Sequence, residues 1–232
     1  NKKPELKIDN NIYMQSIYMR LEKYSDIPIK LIYKKPIKDS YSVFIYLAGS
    51  SSGSNVGWGE VKLPIDHQRI SIGADIAKQA ANKGYLAVAI EQLGYGERLE
   101  RHLHKKSKDR TIDASNHLLL LGKTLMGVGA TEVSSVIDWL VNNKNFKINK
   151  KKIFLFGHSS GGTLAQYVAA LDERVNATVA SGSVGEIKET IGARGASSGD
   201  GIIPGFLKYF DTSDLIALIS PRIFIGLSGD ND

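Results

Sequence analysis

Apolar residues along this 232-residue chain recur in two rhythms that take turns from one end to the other. Residues 27–33 alternate apolar and polar positions, and residues 41–47 form a stronger run of β-branched and aromatic side chains, so both read as strands. Residues 70–83 then carry apolar positions at helical spacing. They end at Gly84, a residue suited to a left-handed helix cap, and the apolar strand at 85–90 follows. The pattern predicts a strand–helix–strand unit. Val133, Val136, Ile137, Leu140 and Val141 mark one face of a second helix, which leads into a short buried strand at 152–156. Leu164, Tyr167, Val168 and Leu171 mark a third helix, and residues 175–180 and 223–227 give two more apolar strands. Alternation of this kind predicts an α/β fold, a mostly parallel sheet covered by helices on both faces. Two stretches break the rhythm, the polar and basic residues 97–116 and the Gly- and Ser-rich residues 182–212, and both read as excursions over the strand ends. No repeat or linker divides the chain, so residues 1–232 are expected to form a single domain.

The sharpest local feature is the apolar run 154–156 stopping at Gly157-His158-Ser159-Ser160-Gly161-Gly162. A G-x-S-x-G sequence between a buried strand and a helix reads as a nucleophile elbow. The serine is held in a strained conformation, and its neighbours are glycine because a side chain would collide with the strand or helix. The alternative is an ordinary strand-to-helix turn in which Ser159 is only a helix cap.

A serine hydroxyl needs help to attack a carbonyl: a base, an acid that orients the base, and two N–H donors for the developing oxyanion. The N–H of Ser160 is one candidate donor. The other is expected in the loop after an early strand, where Ala48-Gly49-Ser50-Ser51-Ser52-Gly53 places Ser50. That loop could instead be a flexible connection or a phosphate cradle, although it lacks the G-K-[ST] ending of the latter. A carboxylate stands just past the last strand, in Ser228-Gly229-Asp230-Asn231-Asp232, and Asp232 is preferred over Asp230 as the acid. The five histidines, His67, His102, His104, His117 and His158, all precede Ser159, whereas this fold orders its triad Ser, acid, His. His158 adjoins the nucleophile and is expected to pack beside the site. His102 and His104 suggest metal ligands only in outline, since no third ligand lies near them, and no metal or other cofactor is expected. Trp58, Tyr95 and Phe210 are candidates to line a substrate pocket, with plain packing as the alternative.

Several segments together resemble the α/β-hydrolase superfamily, in particular its dienelactone-hydrolase-like and acetyl-xylan-esterase-like branch of carbohydrate esterases. Beyond the elbow these are Leu93-Gly94-Tyr95-Gly96-Glu97-Arg98, Leu121-Gly122-Lys123-Thr124-Leu125-Met126-Gly127, Pro204-Gly205-Phe206-Leu207-Lys208-Tyr209, and the stretch from Asp214 to Arg222. The resemblance covers most of the chain. It implies a serine carboxylesterase acting through an acyl-enzyme, points toward acetyl esters of sugars as substrates, and implies Asp232 as the triad acid and a periplasmic or secreted site. It also places the histidine after a further strand, so the chain is expected to be incomplete after residue 232, or its last segment to be supplied separately. Where that branch often has His-Gly in the oxyanion loop, this chain has Ala48-Gly49. A peptidase or lactone hydrolase would use the same machinery, and a binding protein without a complete triad is the non-catalytic alternative.

Charge and composition narrow the partners. Net charge +6 arises from 30 basic and 24 acidic residues spread along the chain, so no nucleic-acid surface is expected. There is no cysteine, which excludes disulfides and thiolate chemistry. Mean hydropathy is −0.15 and no stretch is long and apolar enough to span a membrane. A small-molecule or carbohydrate ester is the expected partner, and the sequence leaves the oligomeric state open.

Overall fold

The computed structural model describes residues 2–22, 25–50, 52–99, 110–193 and 201–229. Eight strands form one sheet: β1 (Leu6–Asp9), β2 (Ile12–Glu22), β3 (Ser25–Lys34), β4 (Tyr41–Leu47), β5 (Leu86–Ile90), β6 (Ile148–His158), β7 (Ala177–Ser181) and β8 (Ile223–Leu227). Their order across the sheet is β1-β2-β3-β5-β4-β6-β7-β8. The first three run antiparallel to their neighbours, and the pairs from β5 to β8 are all parallel. Among the described residues six α-helices connect them: α1 (Pro64–Ser71), α2 (Ile76–Asn82), α3 (Arg110–Leu120), α4 (Leu125–Val141), α5 (Ser160–Leu171) and α6 (Thr212–Ile219).

Alternation along the strands divides the core in two. Ile29 and Leu31 of β3, Val43, Ile45 and Leu47 of β4, Leu86 and Val88 of β5, and Leu155 of β6 pack with α4, α5 and α6. Their neighbours in sequence, Tyr46, Ala87 and Ala89, point the other way and meet Ala77, Ala80 and Ala81 of α2. Alanine on both sides of that contact lets helix and sheet approach closely. The α/β fold with helices on both faces is therefore as the pattern predicts.

The structure departs from the pattern in four places. The helix expected over residues 70–83 is two shorter ones, because Gly73 takes φ 89° and turns the chain between Ser71 and Ile76. Gly84, also at φ 89°, does close the second of them. Leu171, assigned to the buried face of its helix, is 71% exposed, since α5 ends there and the apolar stripe has run past the core. The N-terminal hairpin β1–β2 was not anticipated. Its strands mix exposed and buried positions without clean alternation, and β2 is held instead by a long antiparallel register with β3. Part of the polar stretch 97–116 is also helical, in α3. At the other edge β8 pairs only with β7 among the described residues, and Ile223, Ile225 and Leu227 on one of its faces are exposed.

Candidate active site

The parallel strands β4, β6 and β7 end at one rim of the sheet, and Ser159 stands there between β6 and α5. Its backbone has φ 52° and ψ −122°, and Asn11 is the only other non-glycine residue at positive φ among the described residues. A serine held in that region carries strain of about 1–3 kcal/mol that the surroundings must enforce. They do so by contact. A Cβ on Gly157 would strike the Gly161 carbonyl, and one on Gly161 would strike the carbonyls of Leu47 and Ala48. The Ser159 N–H donates to the Ser181 carbonyl at 2.8 Å, and its carbonyl accepts from Gly162 and Thr163 to begin α5. The glycines are thus steric requirements of the turn, as expected for an elbow.

The loop after β4 runs against this turn. A Cβ on Gly49 would lie 3.0 Å from the His158 carbonyl and 3.1 Å from the Ser159 Cβ, so the loop backbone passes beside the nucleophile. Ser50 and Ser159 line the same cavities on both sides of the turn. Neither the Ser50 nor the Ser160 N–H has a backbone acceptor among the described residues, and Ser160 is itself buried. An oxyanion hole requires two such N–H groups converging beside the nucleophile, where the substrate carbonyl oxygen would sit.

The loop is fixed from beneath by carboxylates. Asp66 of α1, fully buried, accepts from the N–H groups of Lys62 and Leu63, from the Ser52 hydroxyl at 2.7 Å and from Asn55 Nδ2 at 3.1 Å. Burial pushes its carboxyl up, but these donors outweigh burial and hold it below the usual range. Glu91, one residue past β5, accepts from the Ser54 N–H at 2.9 Å, and here burial dominates and pushes the carboxyl up. Arg98 forks onto Glu132 of α4 at 2.6 and 2.7 Å, reaches the Ser25 hydroxyl at 2.8 Å, and donates to the Glu91 carbonyl. Reading the sequence singled out none of Asp66, Glu91 or Glu132. A carboxylate directly after the wholly buried strand Leu86–Ile90 is the signal that could have found Glu91, since strand C-termini carry the sites of such sheets.

Three cavities have Ser159 in their walls. One, about 530 Å³, is lined by Ser160, Gln166, Tyr167, Ser183 and Glu186 together with Ser50 and Ser159. Five buried polar atoms of these residues, Ser160 Oγ, Gln166 Oε1, Tyr167 OH, Ser183 Oγ and Glu186 Oε2, have no hydrogen-bond partner among the described residues. Gln166 already donates its amide to the carbonyls of Gly162 and Ser183, which leaves its oxygen as an acceptor. Burial pushes the Tyr167 hydroxyl up to about 12, so it stays protonated. Another cavity, about 310 Å³, has Tyr46, Phe156 and Arg69 in its walls.

The remaining expected residues separate. Ser228 lines the larger cavity and a further one, about 400 Å³, beside Ser159 and His158, so β8 delivers the chain to the site, but Asp230 and Asp232 lie outside the described residues. His158 is exposed and pairs through Nδ1 with the Ser181 hydroxyl at 3.2 Å, packing beside the turn. His67 and His117 have no hydrogen bond to Ser159 among those described, and His102 and His104 fall outside the described residues. Trp58 and Tyr95 are not brought to these cavities: both are buried in packing, and the Trp58 indole N–H is spent on Glu60 at 3.0 Å. Phe210 is half exposed against Phe206 and Tyr209. Large aromatics serve the core before they serve a pocket.

A strained serine between the central parallel strand and the next helix, facing an irregular loop from the neighbouring strand, defines the α/β-hydrolase fold. The chain belongs to the Abhydrolase family, whose family model matches residues 18–232. A Bacillus subtilis (strain 168) protein named as a hydrolase, YtaP, is 26% identical over 168 residues, 69% of this chain and 53% of its own length. Among solved structures, a Bacteroides fragilis protein named as an acetyl xylan esterase is similar at TM-score 0.82 and 18% identity, over 97% of this chain and 61% of that one. A glucuronoyl esterase from Solibacter usitatus is similar at TM-score 0.67 and 14% identity, over 100% of this chain and 68% of that one. The chain thus spans about half the length of the curated relative. Among the described residues no helix is long and apolar enough to cross a membrane.

Proposed function

We propose that the protein is a serine hydrolase that cleaves carboxylic esters through an acyl-enzyme, with a hydroxyl-rich alcohol such as a sugar as the favoured substrate class. The observation that carries the reading is the strained backbone of Ser159 with the Ser50 loop packed against it. Ser159 Oγ attacks the ester carbonyl, and the N–H groups of Ser50 and Ser160 receive the oxyanion. The serine proton passes to a histidine base oriented by Asp232 and from it to the departing alcohol, and water then releases the acid by the reverse steps. The larger cavity is lined largely by polar residues, among them Ser50, Thr163, Gln166, Ser183, Glu186 and Thr190, which favours sugar hydroxyls over a long apolar chain. The names of the Bacteroides and Solibacter structures agree with a carbohydrate ester. A periplasmic or secreted site belongs to the same proposal.

The test is hydrolysis of short-chain aryl acetates by the product of the full open reading frame, wild type against Ser159→Ala. Loss of the nucleophile is expected to lower turnover on the order of a millionfold. Equal background rates for the two proteins would overturn the proposal in favour of a non-catalytic binding role.

A further inference from the structure

In the stretch that carries Ser50, between the end of β4 at Leu47 and the helical turn that begins at Ser54, none of the described residues lies in a helix or strand. An oxyanion donor there is useful only if it is held still before the charge develops. Two consecutive residues past β5 grip the two ends of this stretch. Gln92 donates its side-chain amide to the Ala48 carbonyl. Glu91 accepts from the Ser54 N–H at 2.9 Å through Oε1, and from the Ser54 hydroxyl at 3.2 Å and the Glu97 N–H at 3.4 Å through Oε2. The chain is shaped around this carboxyl: Gly53 at φ 126° and Gly96 at φ 48° both approach it so closely that a Cβ on either would strike its oxygens.

Glu91 is 2% exposed, and no ion pair among the described residues includes it. A buried carboxyl with Lys62 nearby but no cation in ion-pair contact is costly to keep, and a neutral side chain of similar size would fill the space with less penalty. What this carboxyl supplies is acceptor capacity for the loop. Its own backbone is anchored in turn, because Arg98, locked to Glu132, donates to the Glu91 carbonyl at 3.3 Å.

We propose that Glu91 is a positioning residue for the oxyanion hole: it fixes Ser54 and, with Gln92, tensions the 48–54 stretch so that the Ser50 N–H faces Ser159. The inference rests on reading Ser159 as the nucleophile and Ser50 as a donor. It is distinct from a role in folding alone, because a hole-positioning residue acts on the tetrahedral state and leaves substrate binding nearly untouched.

The experiment compares full-length wild type, Glu91→Ala and Glu91→Gln, each checked for folding by circular dichroism and thermal unfolding. For Glu91→Ala, kcat on 4-nitrophenyl acetate is expected to fall roughly tenfold to a hundredfold, with KM within about twofold. Affinity for a small alkyl boronic acid, which forms a tetrahedral adduct on the serine, should fall by the same factor as kcat. Glu91→Gln, which keeps an acceptor for the Ser54 N–H, should recover most of both, and it carries the test if the alanine variant does not fold. Amide hydrogen exchange at Ser54 should quicken in the alanine variant. A folded Glu91→Ala protein with kcat or boronate affinity unchanged would overturn the proposal. If wild type shows no turnover that depends on Ser159, the esterase reading fails separately. Exchange at Ser54 then decides the clamp, faster exchange supporting it and unchanged exchange overturning it.

Discussion

The two halves of the candidate site are held by different physics. The turn that bears Ser159 is shaped by close backbone approach: Gly157 and Gly162 let strand, turn and helix pass each other, and Gly161 lies against the Leu47 and Ala48 carbonyls, at distances no side chain would tolerate. The loop that bears Ser50 is shaped by residues far along the chain, since Ser54 is held by Glu91 across 37 positions and Ala48 by Gln92 across 44. Steric demands of a tight turn leave a sequence pattern, because each close approach requires a glycine. Buried hydrogen bonds to a distant carboxyl leave only its place just past a buried strand, yet on the proposed reading they hold the oxyanion donor in place.

If the loop half depends on buried polar contacts, its largest single weakness is the Arg98–Glu132 pair, whose side chains are only 5% and 9% exposed. Glu132→Ala leaves the guanidinium buried without its partner and is expected to cost about 3–5 kcal/mol in urea denaturation. A loss under 1 kcal/mol would mean that the loop does not rely on this anchor.

The elbow half should break through sterics instead. Gly161→Ala is expected to destabilise by about 1–3 kcal/mol or more as the new methyl pushes against Leu47 and Ala48, and to lower turnover further by displacing the Ser160 N–H. Wild-type stability and turnover in this variant would remove the steric account of the turn.

The smallest effect separates the two carboxyls under the loop. Glu91 is raised above its ordinary 4.5 by burial, so just above that pH the folded chain holds a proton that the unfolded chain has released. Its contribution to stability therefore declines as pH rises through that window. Asp66 is lowered below 3.8, so its contribution is present above that value and is lost as pH falls below it. Urea midpoints measured across pH should thus show Glu91→Gln gaining on wild type as pH rises from 4.5. Asp66→Asn should lag wild type at neutral pH and approach it in acid. Profiles parallel to wild type in both variants would contradict the assigned environments.

Legibility of the sequence follows the same division. The strand at Tyr41–Leu47, the strand at Ile223–Leu227 and the Ser159 turn are written in contiguous apolar runs and glycines, and the structure has them where the pattern does. The helix over 70–83 fails because one glycine, Gly73, adopts a left-handed conformation that apolar spacing does not reveal. Trp58 and Tyr95 were candidates for the pocket by residue type, but type does not say which face of the sheet a loop aromatic will fill, and both are in packing. Gln166, Ser183 and Glu186 carry no signal in the sequence for the reverse reason: they are ordinary polar residues that only the fold brings to one cavity.

The central claim is that Ser159 is an activated nucleophile, and covalent trapping tests it most directly. The full-length protein treated with a fluorophosphonate and digested should carry a single phosphonyl adduct on the peptide containing Ser159, and Ser159→Ala should carry none. An adduct on another residue, or equal labelling of the two proteins, would contradict the account.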